Sequence, residues 1–198
     1  MSNLIRIFVA VIIGDKLVDR IHKTQSRLKK LAPELKWVNP DNFHLTVKFL
    51  GEIPENTLEN VYSAVEKAAL EAKCFDLAFQ GIGVFGSSAN PRVVWAGISE
   101  GMKELSSLAS SVEKSLMVYD FPPEDRPFKA HLTLARSGKE EKTQSDQFRA
   151  AVKDGADLKF GSVRVDSLVV MMSELKPNGP KYTPLKTFML GVSERSDV

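Results

Sequence analysis

Two of the three histidines in this chain open the same pattern. His44-Leu45-Thr46-Val47 returns, close to half the chain length later, as His131-Leu132-Thr133-Leu134. Imidazole is the side chain whose ordinary pKa lets it give and take protons near neutral pH. Two imidazoles in matching settings suit a reaction that needs one acid and one base. In-line displacement at phosphorus is of that kind: one ring takes a proton from water and the other protonates the departing oxygen. Threonine hydroxyls and cationic groups would hold the non-bridging oxygens and stabilise their growing charge.

These tetrads read as strands, in which alternate side chains point to opposite faces. His44 and Thr46 then share one face, with Leu45, Val47 and Phe49 on the other. His131 and Thr133 repeat the arrangement over Leu132 and Leu134. Lys48 has the parity of His44, and Lys129 that of His131, so either could assist. Arg136 is the nearest fixed cation to His131, but in a regular strand it falls on the opposite face. It serves the site only where the strand twists or ends. The candidate set is therefore His44 and His131 for proton transfer, with Thr46, Thr133 and Arg136 for phosphate contact.

Elements that could position this set follow from the apolar periodicity. Residues 4–12 are rich in β-branched and aromatic side chains and read as a strand buried on both faces. From Asp15, the spacing of Leu17, Val18, Ile21, Leu28 and Leu31 is helical, and Pro33 ends the run. A strand over 43–50 closes at Gly51. Pro54 opens a helix carrying Leu58, Val61, Val65 and Ala68 on one face. Strands at 75–85 and 93–98 flank a turn through Ser87-Ser88-Ala89-Asn90-Pro91. A helix with the stripe Met102, Leu105, Leu108, Val112 and Leu116 comes next. The second histidine strand spans 129–136, followed by a polar helix at 144–153 and strands at 158–165, 168–174 and 181–191. The last two strands are separated by the turn Pro177-Asn178-Gly179-Pro180. The mixed order predicts an α+β fold of largely antiparallel sheet with helices on one side. The half-chain spacing of the tetrads predicts two related halves facing each other.

At the signature positions His44-Leu45-Thr46-Val47-Lys48-Phe49-Leu50-Gly51 and His131-Leu132-Thr133-Leu134-Ala135-Arg136, the chain resembles the two-histidine phosphoesterase superfamily. The similar branch is that of the bacterial and archaeal RNA 2′,3′-cyclic phosphodiesterases, also called 2′-5′ RNA ligase-like proteins. The likeness extends to Arg6-Ile7-Phe8-Val9-Ala10, Trp37-Val38-x-Pro40, Gly83-Val84-Phe85, Pro91 through Gly97, Ser173-Glu174-Leu175 and Gly179-Pro180-x-Tyr182. It implies a single bilobal domain over residues 1–198, with two pseudo-symmetric lobes around a basic cleft and no metal or other cofactor. It also implies hydrolysis of RNA 2′,3′-cyclic phosphate ends, or of small cyclic nucleotides, to 2′-phosphomonoesters, with the reverse 2′-5′ ligation as a related reaction. By this analogy His44 protonates the leaving 3′ oxygen and His131 takes a proton from water. The equivalent settings alone do not assign those roles.

Composition fits these expectations. With 198 residues, 43% hydrophobic, 26% charged and net charge +2, the chain reads as an ordinary soluble protein that permits an anionic partner. The lone Cys74 cannot close an internal disulfide, and the apolar run at 4–13 is too short to span a bilayer and reads as the first strand. A cytoplasmic monomer with no membrane partner is expected. A non-catalytic module that binds RNA ends or nucleotides is the competing reading, although binding alone needs no proton-transfer pair. A zinc site would need a third protein ligand, and none stands at suitable spacing. Gly81-Ile82-Gly83-Val84-Phe85-Gly86 imitates a dinucleotide-binding fingerprint, but a strand follows where a helix should begin. His22 reads as structural, and Arg20, Lys23, Arg27, Lys29 and Lys30 as a solvated helix face. Phe8, Phe43, Trp37 and Trp95 could stack on bases, with core packing the simpler role.

Overall fold

In a computed structural model that describes residues 3–138, 145–177 and 179–191, the two periodicities separate cleanly into strands and helices. The strands are β1 (Leu4–Ile12), β2 (Lys36–Trp37), β3 (His44–Pro54), β4 (Phe75–Ser87), β5 (Asn90–Glu100), β6 (Leu132–Arg136), β7 (Lys159–Val165), β8 (Ser167–Lys176) and β9 (Gly179–Met189). The α-helices are α1 (Asp15–Leu31), α2 (Leu58–Glu71), α3 (Met102–Met117) and α4 (Asp146–Asp154). The α+β expectation holds. Helices α1, α2 and α3 bury most of their predicted stripes, as with Leu105, Leu108, Val112 and Leu116 of α3. Ser145 caps α4 by accepting the Phe148 amide, which satisfies one of the donors left open in a first helical turn. Among the described residues no helix is long and apolar enough to cross a membrane.

All strands join one sheet in the order β7-β4-β5-β6-β3-β1-β8-β9, with β2 added to β6. Pairings between these strands are antiparallel throughout. At the centre, β3 and β6 pair only at Leu45 and Leu132. Each then leads outward into an arm of four strands, so the two histidine strands lie side by side where the arms meet. Helices α1 and α4 pack on β7 and β4 of one arm, while α2 and α3 pack on β8, β9 and β3 of the other. Between helices and sheet lies the main core, with Ile7, Ile21, Leu45, Leu77, Phe79, Leu105, Leu132 and Phe148 fully buried. Burying each such side chain contributes about 1.5–3 kcal/mol. A smaller cluster of Phe8, Ala10, Val169 and Met171, joined by Tyr182, lies apart from it.

Several boundaries differ from the expectations; the helix placed at Pro54, for one, opens at Leu58 after a single 3₁₀ turn over Glu55–Thr57. The second histidine strand starts at Leu132 instead of 129, because Pro122, Pro123 and Pro127 keep the approach out of regular pairing. The first histidine strand passes Gly51, which takes φ +73, a conformation open to glycine. Residues Lys36 and Trp37 form an unpredicted short strand beside β6. The imitation fingerprint at 81–86 lies wholly inside β4. There Gly83 leaves room for the Trp95 indole, which lies across it. Gln144 and Asn178, included in the expected helix and turn, lie outside the described residues.

Candidate active site

Both tetrads begin with the same hydrogen bond. The His44 Nδ1 lies 2.7 Å from the Asn42 carbonyl oxygen, and the His131 Nδ1 lies 2.7 Å from that of Lys129. A carbonyl only accepts, so each Nδ1 carries the proton and each Nε2 is left as the working atom. In His44 that atom accepts from the Thr46 hydroxyl at 3.0 Å. Aromatic rings hold both imidazoles. Phe8 and Tyr182 lie 4.8 and 5.2 Å from the His44 ring, and Phe85 meets His131 edge-on at 4.8 Å. The Asn42 amide donates to the Pro180 carbonyl at 3.0 Å, which ties the approach to His44 to the start of β9.

The strands depart from simple alternation just after each threonine. Opposite β1, Lys48 pairs with Val9 and Thr46 with Ala10, which leaves Val47 as an extra residue. Opposite β5, Ala135 pairs with Val94 and Thr133 with Trp95, which leaves Leu134 as the extra residue. Each is a β-bulge, and a bulge re-aims every side chain beyond it. Val47 and Lys48 are consequently both buried, as are Leu134 and Ala135. The expected faces are corrected in three places. Arg136 turns into the cleft and donates to the Thr133 hydroxyl at 3.4 Å. Phe49, expected beneath the sheet, lines the same cleft, with the Arg6 guanidinium 4.9 Å above its ring. Lys48, expected beside His44, points to the helices, where its ammonium meets Glu113 at 3.0 Å, the Pro122 carbonyl at 3.1 Å and Glu124 at 3.6 Å. Lys129 contributes its carbonyl, and its side chain does not line the cleft.

The result is a cleft of about 490 Å³ that brings His44, Thr46, His131, Thr133 and Arg136 to one space. Among the described residues no three His, Cys, Asp or Glu side chains gather in a way that could hold a metal ion. A family model for LigT like phosphoesterases matches residues 13–95 and 97–182, and each stretch contains one of the two tetrads. The chain belongs to the LigT-like phosphoesterase family. Its similarity to an RNA 2′,3′-cyclic phosphodiesterase of Methanothermobacter thermautotrophicus is 32% identity, over 94% of this chain and 99% of the relative. One of the same name from Archaeoglobus fulgidus is 33% identical, over 92% of this chain and 99% of the relative. A crystal structure of a Thermus thermophilus protein is 31% identical, with a TM-score of 0.74 over 93% of this chain and 97% of that one.

Within this family frame, the electrostatics of the cleft act on both histidines in the same direction. Burial, above all, lowers the His44 pKa from 6.5, opposed by the Asn42 carbonyl and assisted by the charges of Arg136 and His131. His131 is lowered by burial too, opposed by the Lys129 carbonyl and assisted by Arg136. Burial raises the Tyr182 phenol, against the pull of Arg136 and Arg6. Arg6, Asn42 and Tyr182 line the cleft without having been singled out as site residues from sequence. His22 stays outside it, with its Nδ1 2.9 Å from the Gln25 side-chain oxygen.

Proposed function

We propose that this chain hydrolyses the 2′,3′-cyclic phosphate at RNA ends to a 2′-phosphomonoester. His131 Nε2 takes a proton from the attacking water as its oxygen bonds to phosphorus. The bond from phosphorus to the 3′ oxygen breaks as His44, which enters the step as imidazolium with its Nε2–H turned from Thr46 to the substrate, delivers that proton to the oxygen. The hydroxyls of Thr46 and Thr133 and the Arg136 guanidinium hold the non-bridging oxygens. Phe49, 43% exposed on the cleft wall, offers a face on which a base can stack. The observation carrying this reading is the repeated Nδ1 hydrogen bond, which leaves two Nε2 atoms able to exchange protons at one cleft. Relatives named RNA 2′,3′-cyclic phosphodiesterase support the choice of substrate.

The test is turnover of an oligoribonucleotide ending in a 2′,3′-cyclic phosphate, with the product resolved as the 2′- or 3′-phosphate. His44→Ala and His131→Ala should each lower kcat by about 10²- to 10⁴-fold, as loss of a positioned acid or base does. Near-normal turnover in either variant, or a 3′-phosphate product, overturns the reading.

A further inference from the structure

The Arg136 guanidinium reaches the cleft only because β6 is bulged, and the bulge has an anchor outside the site. The extra residue, Leu134, presents its carbonyl to two donors: the Val38 amide at 2.9 Å and the Gln25 side-chain amide at 3.0 Å. The same Gln25 nitrogen donates to the Val38 carbonyl at 2.8 Å. Its two hydrogens thus stitch the chain just after β2 to the bulge in β6. Gln25 lies on α1, is 3% exposed, and neither lines the cleft nor touches a histidine of the tetrads. Its oxygen is engaged as well, against His22 Nδ1. A buried glutamine is costly unless its polar atoms are satisfied. Here they are, and the partners it selects are the atoms that fix the bulge.

We infer that Gln25 is a positioning residue for phosphate binding, acting through the β6 bulge to hold Arg136 in the cleft. Without its amide, the Val38 carbonyl loses that donor and the Leu134 carbonyl keeps one of two. The bulge then loosens toward simple alternation, in which Arg136 belongs to the face away from His131 and Thr133. This inference rests on the proposed role of Arg136 at the phosphate.

A mutant cycle on the cyclic-phosphate oligoribonucleotide separates the two claims. Arg136→Gln should lower kcat/KM by roughly 10- to 100-fold, the range expected for losing a hydrogen bond to a charged group. Gln25→Leu, which keeps the bulk without the donors, should lower it by about 10-fold in the parent chain. In the Arg136→Gln background it should change kcat/KM by less than about 2-fold, because the group it positions is gone. It should also shift both limbs of the pH–rate profile in the direction that Arg136→Gln shifts them, which loss of stability alone would not do. If Gln25→Leu fails to fold, Gln25→Met replaces it in the same cycle. An Arg136→Gln variant with full activity refutes the phosphate reading. An Arg136→Gln loss with a Gln25 effect that is absent, or that persists undiminished in the double variant, refutes the positioning inference.

Discussion

Lys48 stands where the second tetrad has Ala135, and the asymmetry of its ion pair fixes the outcome of a mutational cycle. Its side chain is 5% exposed, whereas the Glu113 side chain opposite is 30% exposed. Replacing Lys48 by Met leaves behind a carboxylate that water reaches and that still accepts the Glu124 amide at 2.6 Å. The loss is one charge-assisted bond, about 1.5–2 kcal/mol. Replacing Glu113 by Leu leaves behind a buried ammonium. Breaking a buried pair in that sense costs about 3–5 kcal/mol, and the remaining Pro122 carbonyl and Glu124 keep this case near 3 kcal/mol. The double variant strands neither charge and should lie close to Lys48→Met alone. At about 2–4 °C per kcal/mol for a chain this size, Tm should fall by about 3–8 °C for Lys48→Met and by about 6–12 °C for Glu113→Leu. Urea unfolding of the four proteins gives the free energies directly. The Glu124 amide, and then Lys48, hold the Glu113 carboxyl below its usual 4.5. Its stabilisation is therefore present above that pH and is lost as pH falls through the depressed folded value, so the parent and Glu113→Leu should converge in acid. Lys48→Met proving as damaging as Glu113→Leu, or strict additivity in the double variant, would refute the reasoning.

Two further outcomes follow from the cleft and its walls. Burial and the Arg136 charge depress both imidazoles from 6.5, so the bell in kcat/KM should centre on the acid side of 6.5. Arg136→Gln removes a cation that disfavours imidazolium, so both limbs should move to higher pH; a shift to lower pH counts against this account. Gly83→Ala places a methyl inside contact distance of the Trp95 indole, for an overpacking cost of about 1–3 kcal/mol and an altered tryptophan emission. Unchanged stability and emission would show that the indole is not confined there.

Much of the fold was legible because hydrophobic burial imposes its period on each element. The apolar stripes of α1 and α3 and the β-branched run of β1 emerge within a residue or two of their observed ends. The proposed proton-transfer pair was legible for a different reason: it is duplicated, and duplication survives without knowledge of the pairing. What parity obscured was the pair of bulges. In the second tetrad the break could be seen, since Leu134 and Ala135 are consecutive apolar residues ahead of Arg136. In the first it was hidden. His44-Leu45-Thr46-Val47-Lys48-Phe49 alternates polar and apolar perfectly, and the lysine at the break is buried by an ion pair that only tertiary structure supplies. Gln25 was invisible for the same reason, as its carbonyl partners lie on segments distant in sequence.

The acceptors that fix both imidazole tautomers are main-chain oxygens of residues 42 and 129. Ring orientation is thus encoded in the path of the polypeptide, which at Asn42 is itself held by the side-chain amide on the Pro180 carbonyl. Lys129 can be exchanged to alter local charge without resetting the proton inventory beneath. Only a change that diverts the backbone, such as an insertion before either histidine, would release the rings.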